Sequence, residues 1–253
     1  MKISQFVLSF LSLISLCLFA TCLNVPEVRM FQTSSLIGTK LYFFGGRSSL
    51  NYTNEIYLDL PNSLTSNYTN EVWYLDLTNS SIFDSAIPTW HQDVGMPVGY
   101  ALGTSCVSPT DNAIFIIGGK QYLPNSYNIS FNSPVYKFDP NNNSLWTIPN
   151  ITRFNDTFRT RNSMQAVIDN TGKIFIFGGV NFLSNDSDKS KITFYNDMNI
   201  LDITTMSWST LIIPQAPFYI YYTATLLPSG LIVYIGGIKN TIAKMSEAWF
   251  MLF

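Results

Sequence analysis

The chain has 253 residues, 47% of them hydrophobic and 15% aromatic, which is ample material for a large core. Only 12% are charged, about half the usual share for a soluble protein, and the formal net charge is −2. Lysine and arginine form no block anywhere, so the basic stripe that a nucleic-acid partner calls for is missing.

Residues 1–22 read as a signal peptide. Lys2 supplies the positive start, Phe6 to Phe19 is a mostly apolar run, and Ala20-Thr21-Cys22 places small residues where a signal peptidase cuts, before Leu23. The run is short of the roughly 20 residues that span a bilayer. Membrane attachment would follow only if this segment stayed uncleaved or an anchor lay C-terminal to the chain. Cleavage removes Cys17 and Cys22 and leaves Cys106 alone, so no internal disulfide is expected, and Cys106 reads as a small core residue.

The mature chain, 23–253, is organised by a phrase that occurs four times: four apolar residues and then two glycines. It reads Leu41-Tyr42-Phe43-Phe44-Gly45-Gly46, Ile114-Phe115-Ile116-Ile117-Gly118-Gly119, Ile174-Phe175-Ile176-Phe177-Gly178-Gly179 and Ile232-Val233-Tyr234-Ile235-Gly236-Gly237. The first glycines are 73, 60 and 58 residues apart, a period that signals a repeat array. An unbroken apolar run between turn residues suits a strand buried on both faces.

The surroundings repeat as well. A turn precedes each run (Gly38-Thr39, Asp111-Asn112, Thr171-Gly172, Ser229-Gly230), and a strand-like stretch precedes each turn, which predicts a hairpin. Polar loops follow the glycines, at 47–54, 120–132, 180–196 and 238–245. A third strand ends at Asp76, Asp139 or Asp202, and Trp90, Trp146 or Trp208 marks a fourth. The expected blades run roughly over 31–90, 100–146, 160–208 and 218–253.

The first interval holds a tandem duplication. Asn51 to Leu60 is echoed by Asn67 to Leu77, and the second copy is expected to fill the third-strand position. In the last unit Leu252 stands where the aspartates stood. The last blade is therefore expected to be incomplete. The explanations are a fragment of a longer product, a small ring whose missing strand is supplied by Asn24 to Met30, or an open arc that pairs with a second chain.

The order and spacing of these elements resemble the kelch repeat, over Phe31 to about Ser246. The resemblance implies an all-β, kelch-type β-propeller of about four blades of four antiparallel strands, the ring open or incomplete. It extends to galactose oxidase, whose kelch-type catalytic domain implies a copper site of two histidines, two tyrosines and a cysteine cross-linked to one tyrosine. His91 and Cys106 are the single histidine and cysteine of the mature chain, so the fold carries over and the copper does not. No nucleophile elbow and no phosphate-binding glycine loop occurs. Asp186-Ser187-Asp188 lacks the glycine and glutamate of a calcium loop. No cofactor or metal is expected.

What remains is a binding surface on the loop face, with a protein or glycan ligand. Arg47 and Lys120 take the same place after their diglycines, on neighbouring blades. Tyr122, Arg159 and Arg161 complete the candidate set. Eight sequons, at Asn51, Asn67, Asn79, Asn128, Asn142, Asn150, Asn155 and Asn185, fall in expected loops and fit an exported glycoprotein. The expected function is a secreted, non-catalytic binding scaffold. The alternatives are an oxidase-related domain lacking its metal and the ectodomain of a membrane-anchored receptor.

Overall fold

The apolar runs fold as the second strands of antiparallel sheets that stand side by side as blades. The computed structural model describes residues 25–49, 66–78, 89–124, 130, 133–159, 161–182, 192–238 and 248–252. The leader, the first copy of the duplicated stretch and the sequons at Asn51, Asn79, Asn128 and Asn185 lie outside them.

Blade 1 contains β1 (Thr33–Ile37), β2 (Lys40–Phe44), a ribbon of β3 (Arg47–Ser49) and β4 (Ser66–Tyr68), then β5 (Val72–Asp76) and β6 (Trp90–Asp93). Its sheet order is β1-β2-β5-β6. In blade 2, β7 (Gly99–Ala101) leads into β8 (Thr104–Val107) and β9 (Ile114–Ile117). There β10 (Lys120–Tyr122) pairs back on β7, and β11 (Val135–Asp139) and β12 (Leu145–Thr147) complete the sheet. Blade 3 has β13 (Ala166–Ile168), β14 (Lys173–Phe177), a ribbon of β15 (Val180–Phe182) and β16 (Ile192–Phe194), then β17 (Met198–Asp202) and β18 (Ser207–Leu211). Blade 4 has β19 (Thr223–Leu226), β20 (Leu231–Ile235) and β21 (Ala248–Leu252), in that order. Among the described residues there is no α-helix, and Asp156–Phe158 forms a 3-10 turn.

The second copy of the duplication supplies β5, which pairs along the whole of β2. The three tryptophans keep one register: Trp90 faces Leu75, Trp146 faces Phe138, and Trp208 faces Leu201. Asp76, Asp139 and Asp202 are turn formers. Each carboxylate accepts a bond from the backbone N–H two residues on, at Thr78, Asn141 and Thr204 (3.0, 3.0 and 2.9 Å). Leu252 faces Leu231 as Asp202 faces Lys173, so it takes the turn former's position in blade 4.

Two expectations need correction. The loops after the first three diglycines begin as strand ribbons, so Asn67 sits in β4 rather than in a loop. Their main-chain pairing carries no apolar signal in the sequence. Residues 25–30 do not serve as an outer strand of blade 4. Met30 bridges Arg47, and Arg29 pairs with Glu71 at 2.5 Å, which ties this segment to blade 1.

The packing explains the unbroken apolar runs. Alternate side chains of a strand point to opposite faces, so a blade between two neighbours buries both sets. Ile114 and Ile116 pack rearward with Tyr42 and Phe44 of blade 1, while Phe115 and Ile117 join the cluster shared with blade 3. All four are buried, as are Ile174 to Phe177 in blade 3. Burial of each such side chain contributes about 1.5–3 kcal/mol. In β2 and β20 of the outer blades only the set facing a neighbour is fully buried: Tyr42 and Phe44 in β2, Ile232 and Tyr234 in β20. Cys106 lies in the same core, where burial pushes its thiol up to about 12.

Candidate binding surface at the axial end

The innermost strands β1, β8, β13 and β19 touch in sequence around an axis. Just before each strand the chain makes one left-handed residue: Phe31, Leu102, Ser163 and Tyr221, with φ of 63°, 62°, 61° and 55°. These four residues form a main-chain relay. Leu102 N–H donates to Phe31 C=O (3.0 Å), Ser163 to Leu102 (2.7 Å), and Tyr221 to Ser163 (3.0 Å). A bent backbone of this kind persists only where its surroundings hold it, and here each turn is held by the next.

The diglycines make a second relay beside the first. Gly46, Gly119 and Gly179 each donate to a carbonyl of the following blade, at Tyr100, Arg161 and Tyr219 (2.7, 2.9 and 3.3 Å). Side chains add a third set. Thr104 Oγ1 accepts from Ala166 N–H (2.9 Å), and Gln165 Oε1 accepts from Ala224 N–H (2.8 Å). At the first junction, Ser105 Oγ lies 2.9 Å from Thr33 Oγ1 and accepts from Ser35 Oγ (2.8 Å).

All four blades thus present the start of their inner strand at one end, around a cavity of about 370 Å³. Its lining is neutral and largely polar: Gln32, Ser34, Thr104, Ser105, Ser163 and Gln165, together with Phe31, Leu102, Met164, Tyr221 and Tyr222. None of these lining residues carries a formal charge. The Tyr222 phenol donates to Phe177 C=O (2.5 Å), and burial pushes its pKa far above the ordinary value. It is a strut, not an acid or base. None of these cavity residues was legible as a site in the sequence, because they share a place in the fold rather than a residue type.

The candidate residues divide. Arg47 and Lys120 open β3 and β10 on neighbouring blades, and Val180 and Ile238 take that place on blades 3 and 4. Tyr122 stacks on Tyr68 of the adjoining ribbon, rings 3.9 Å apart, so one face of each ring is used. Arg159 is exposed beside Asp156 (3.1 Å). Arg161 is corrected from surface residue to core residue. Its side chain is 0% exposed and is paired with Asp197. It also donates to Gly178 C=O (3.2 Å) and lies 3.6 Å from the Tyr195 ring centre. Arg29 repeats this arrangement in blade 1, donating to Gly45 C=O (3.3 Å) beside Glu71. Both carboxylates directly precede a third strand, so the two pairs are one device used twice.

Burial alone would raise the Glu71 carboxyl, but hydrogen bonds from Arg29 and Trp73 outweigh it and hold the group below its ordinary 4.5. A depressed folded value means stability that is complete above that ordinary value and lost as pH falls through the depressed one. Urea midpoints should be flat above about pH 5 and fall below about pH 4.5. Glu71→Gln should remove part of that fall, and an unchanged acid slope would sink the assignment.

Trp90, Trp146 and Trp208 serve packing. Trp146 meets Phe44 of the preceding blade (6.0 Å), and Trp208 is buried, donating to Asn199 (3.1 Å). His91 stacks on Tyr74 (4.9 Å) within blade 1. Among the described residues no three His, Cys, Asp or Glu side chains gather, and no helix is long and apolar enough to cross a membrane. Of the described sequons, Asn142 and Asn150 are exposed, whereas the Asn155 amide is engaged with Thr157 and Thr210.

A family model described as the KLHDC2/KLHL20/DRC7 Kelch-repeats domain matches residues 61–252. Comparison with the curated proteins finds no match.

Proposed function

The chain belongs to the kelch-repeat family, and on that premise we propose that it is a secreted, glycosylated, non-catalytic scaffold that holds a protein partner at the axial end of its blades. Kelch-repeat domains are in general protein-binding modules. The observation that carries the reading is the convergence of four separate segments on one cavity of about 370 Å³. Its hydroxyl and amide lining suits the neutral donors and acceptors of a peptide main chain. A polar, adaptable surface with aromatic edges is the composition that loop-built binding sites use.

The test is site-specific photocrosslinking of the secreted protein. A benzophenone side chain at Gln32, in the cavity, should capture a partner protein. The same group at Ile212, exposed on the outer edge, should not. Equal capture from both positions would overturn the assignment of the surface. Export has its own readout. The mature N-terminus should be Leu23, and an N-glycosidase should lower the mass, with glycans on Asn142 and Asn150 and none on Asn155. A protein that keeps residues 1–22 and shows no mass change would remove the exported reading and leave the binding surface untouched.

A further inference from the structure

The two outward faces of the blade array carry complementary halves of the contact that joins its blades. We propose that blade 4 of one chain seats on blade 1 of a second copy, head to tail.

The established contact is the one repeated at three junctions. On the forward face of each blade, the residue before the diglycine is fully buried by the next blade: Phe44, Ile117 and Phe177 are each 0% exposed. The corresponding Ile235 of blade 4 is 38% exposed. A Cβ placed on Gly45 or Gly118 would meet a carbonyl of the next blade at 2.3 or 2.6 Å. One placed on Gly236 meets nothing within 4 Å among the described residues. Among the described residues, Gly237 N–H has no counterpart to the Tyr100, Arg161 and Tyr219 carbonyls that serve Gly46, Gly119 and Gly179. The forward face of blade 4 therefore has the shape and the donor of a blade junction, with no described residue seated on it.

The rear face of blade 1 has the other half. Arg29 occupies the position of Tyr100, Arg161 and Tyr219, two residues before the left-handed residue, and its carbonyl accepts no bond among the described residues. Phe31 N–H, first in the axial relay, likewise donates to no described residue. An apolar groove of about 210 Å³ runs between residues 26–29 and Phe43, Trp73 and Trp90. At the next junction the equivalent side chains Ile116, Tyr136 and Trp146 are covered by Tyr42 and Phe44 of blade 1. The groove is thus the seat for Val233 and Ile235, and Arg29 C=O is the acceptor for Gly237 N–H.

Open apolar faces of this kind mark association surfaces. A contact between unlike faces closes into a ring where the rotation allows. Two copies of the four described blades make eight, within the range that propellers adopt, and two such junctions would join them in a dimeric ring. This inference stands apart from the identity of any protein held at the axial cavity.

The experiment is sedimentation of the mature full chain over a concentration series. The expected species is a dimer. Gly236→Asn places a side chain on the forward face, and asparagine tolerates the left-handed backbone. It should give a monomer with unchanged circular dichroism. Val28→Arg, at an exposed position on the rim of the rear groove, should do the same. Mixing the two variants leaves one forward and one rear face intact, so the mixture should recover a dimer. A wild-type monomer, a dimer that survives Gly236→Asn, or a mixture that stays monomeric overturns the proposal.

Discussion

At concentrations where the chain is a monomer, Gly45→Ala should destabilise the protein by about 3–5 kcal/mol, whereas Gly236→Ala should cost only about 1–2 kcal/mol. Both glycines have left-handed backbones, with φ of 61° and 70°, so both substitutions incur the penalty of placing a Cβ there. They differ in what the new methyl meets. At Gly45 it would stand 2.3 Å from the Tyr100 carbonyl oxygen, a backbone atom that also accepts the bond from Gly46 N–H. That atom cannot retreat without opening the junction between blades 1 and 2. At Gly236 of a single chain the methyl meets nothing within 4 Å among the described residues. Urea denaturation of the two variants against wild type measures the difference. Equal losses at the two sites would show that the diglycine acts through local backbone preference alone and that the close approach between blades contributes nothing.

Arg161→Met is the second large effect, with an expected loss of about 3–5 kcal/mol. The guanidinium is enclosed by the Asp197 carboxylate, Gly178 C=O, the Phe158 ring and the Tyr195 ring. Removing it strands a carboxylate at the edge of the core without its partner, which is the expensive way to break such a pair. Removing both charges, as Arg161→Met with Asp197→Leu, should recover most of the loss. Arg159→Met is the control, since that arginine is exposed and its ion pair with Asp156 is a surface contact worth about 0–1 kcal/mol. The order of the three urea midpoints decides the matter. If Arg161→Met were no worse than Arg159→Met, the buried pair would have no structural role.

The blade architecture was legible because the residues that build it repeat. Four apolar runs with diglycines, and three tryptophans in one register, leave a periodic trace that needs no knowledge of tertiary contacts. Arg161 was misread because its burial depends on Asp197, 36 residues away, and a charged residue in a polar stretch looks solvated. The axial turns left no trace either. Phe31, Leu102, Ser163 and Tyr221 share no single residue type, and they precede their diglycines by slightly different distances. What they share is a backbone angle that the neighbouring blade imposes. The ribbons after the diglycines were hidden for the same reason, being held by main-chain pairing in segments without apolar alternation.

The relay at the axis has a consequence for how such a chain changes over time. Its bonds run from peptide N–H to peptide C=O, so they place few demands on which amino acids stand there. Substitutions at Gln32 or Ser34 can alter the lining of the cavity while the hub of the wheel keeps its own fastening. Variation of the cavity lining and maintenance of the scaffold thereby fall to neighbouring residues of the same short segments.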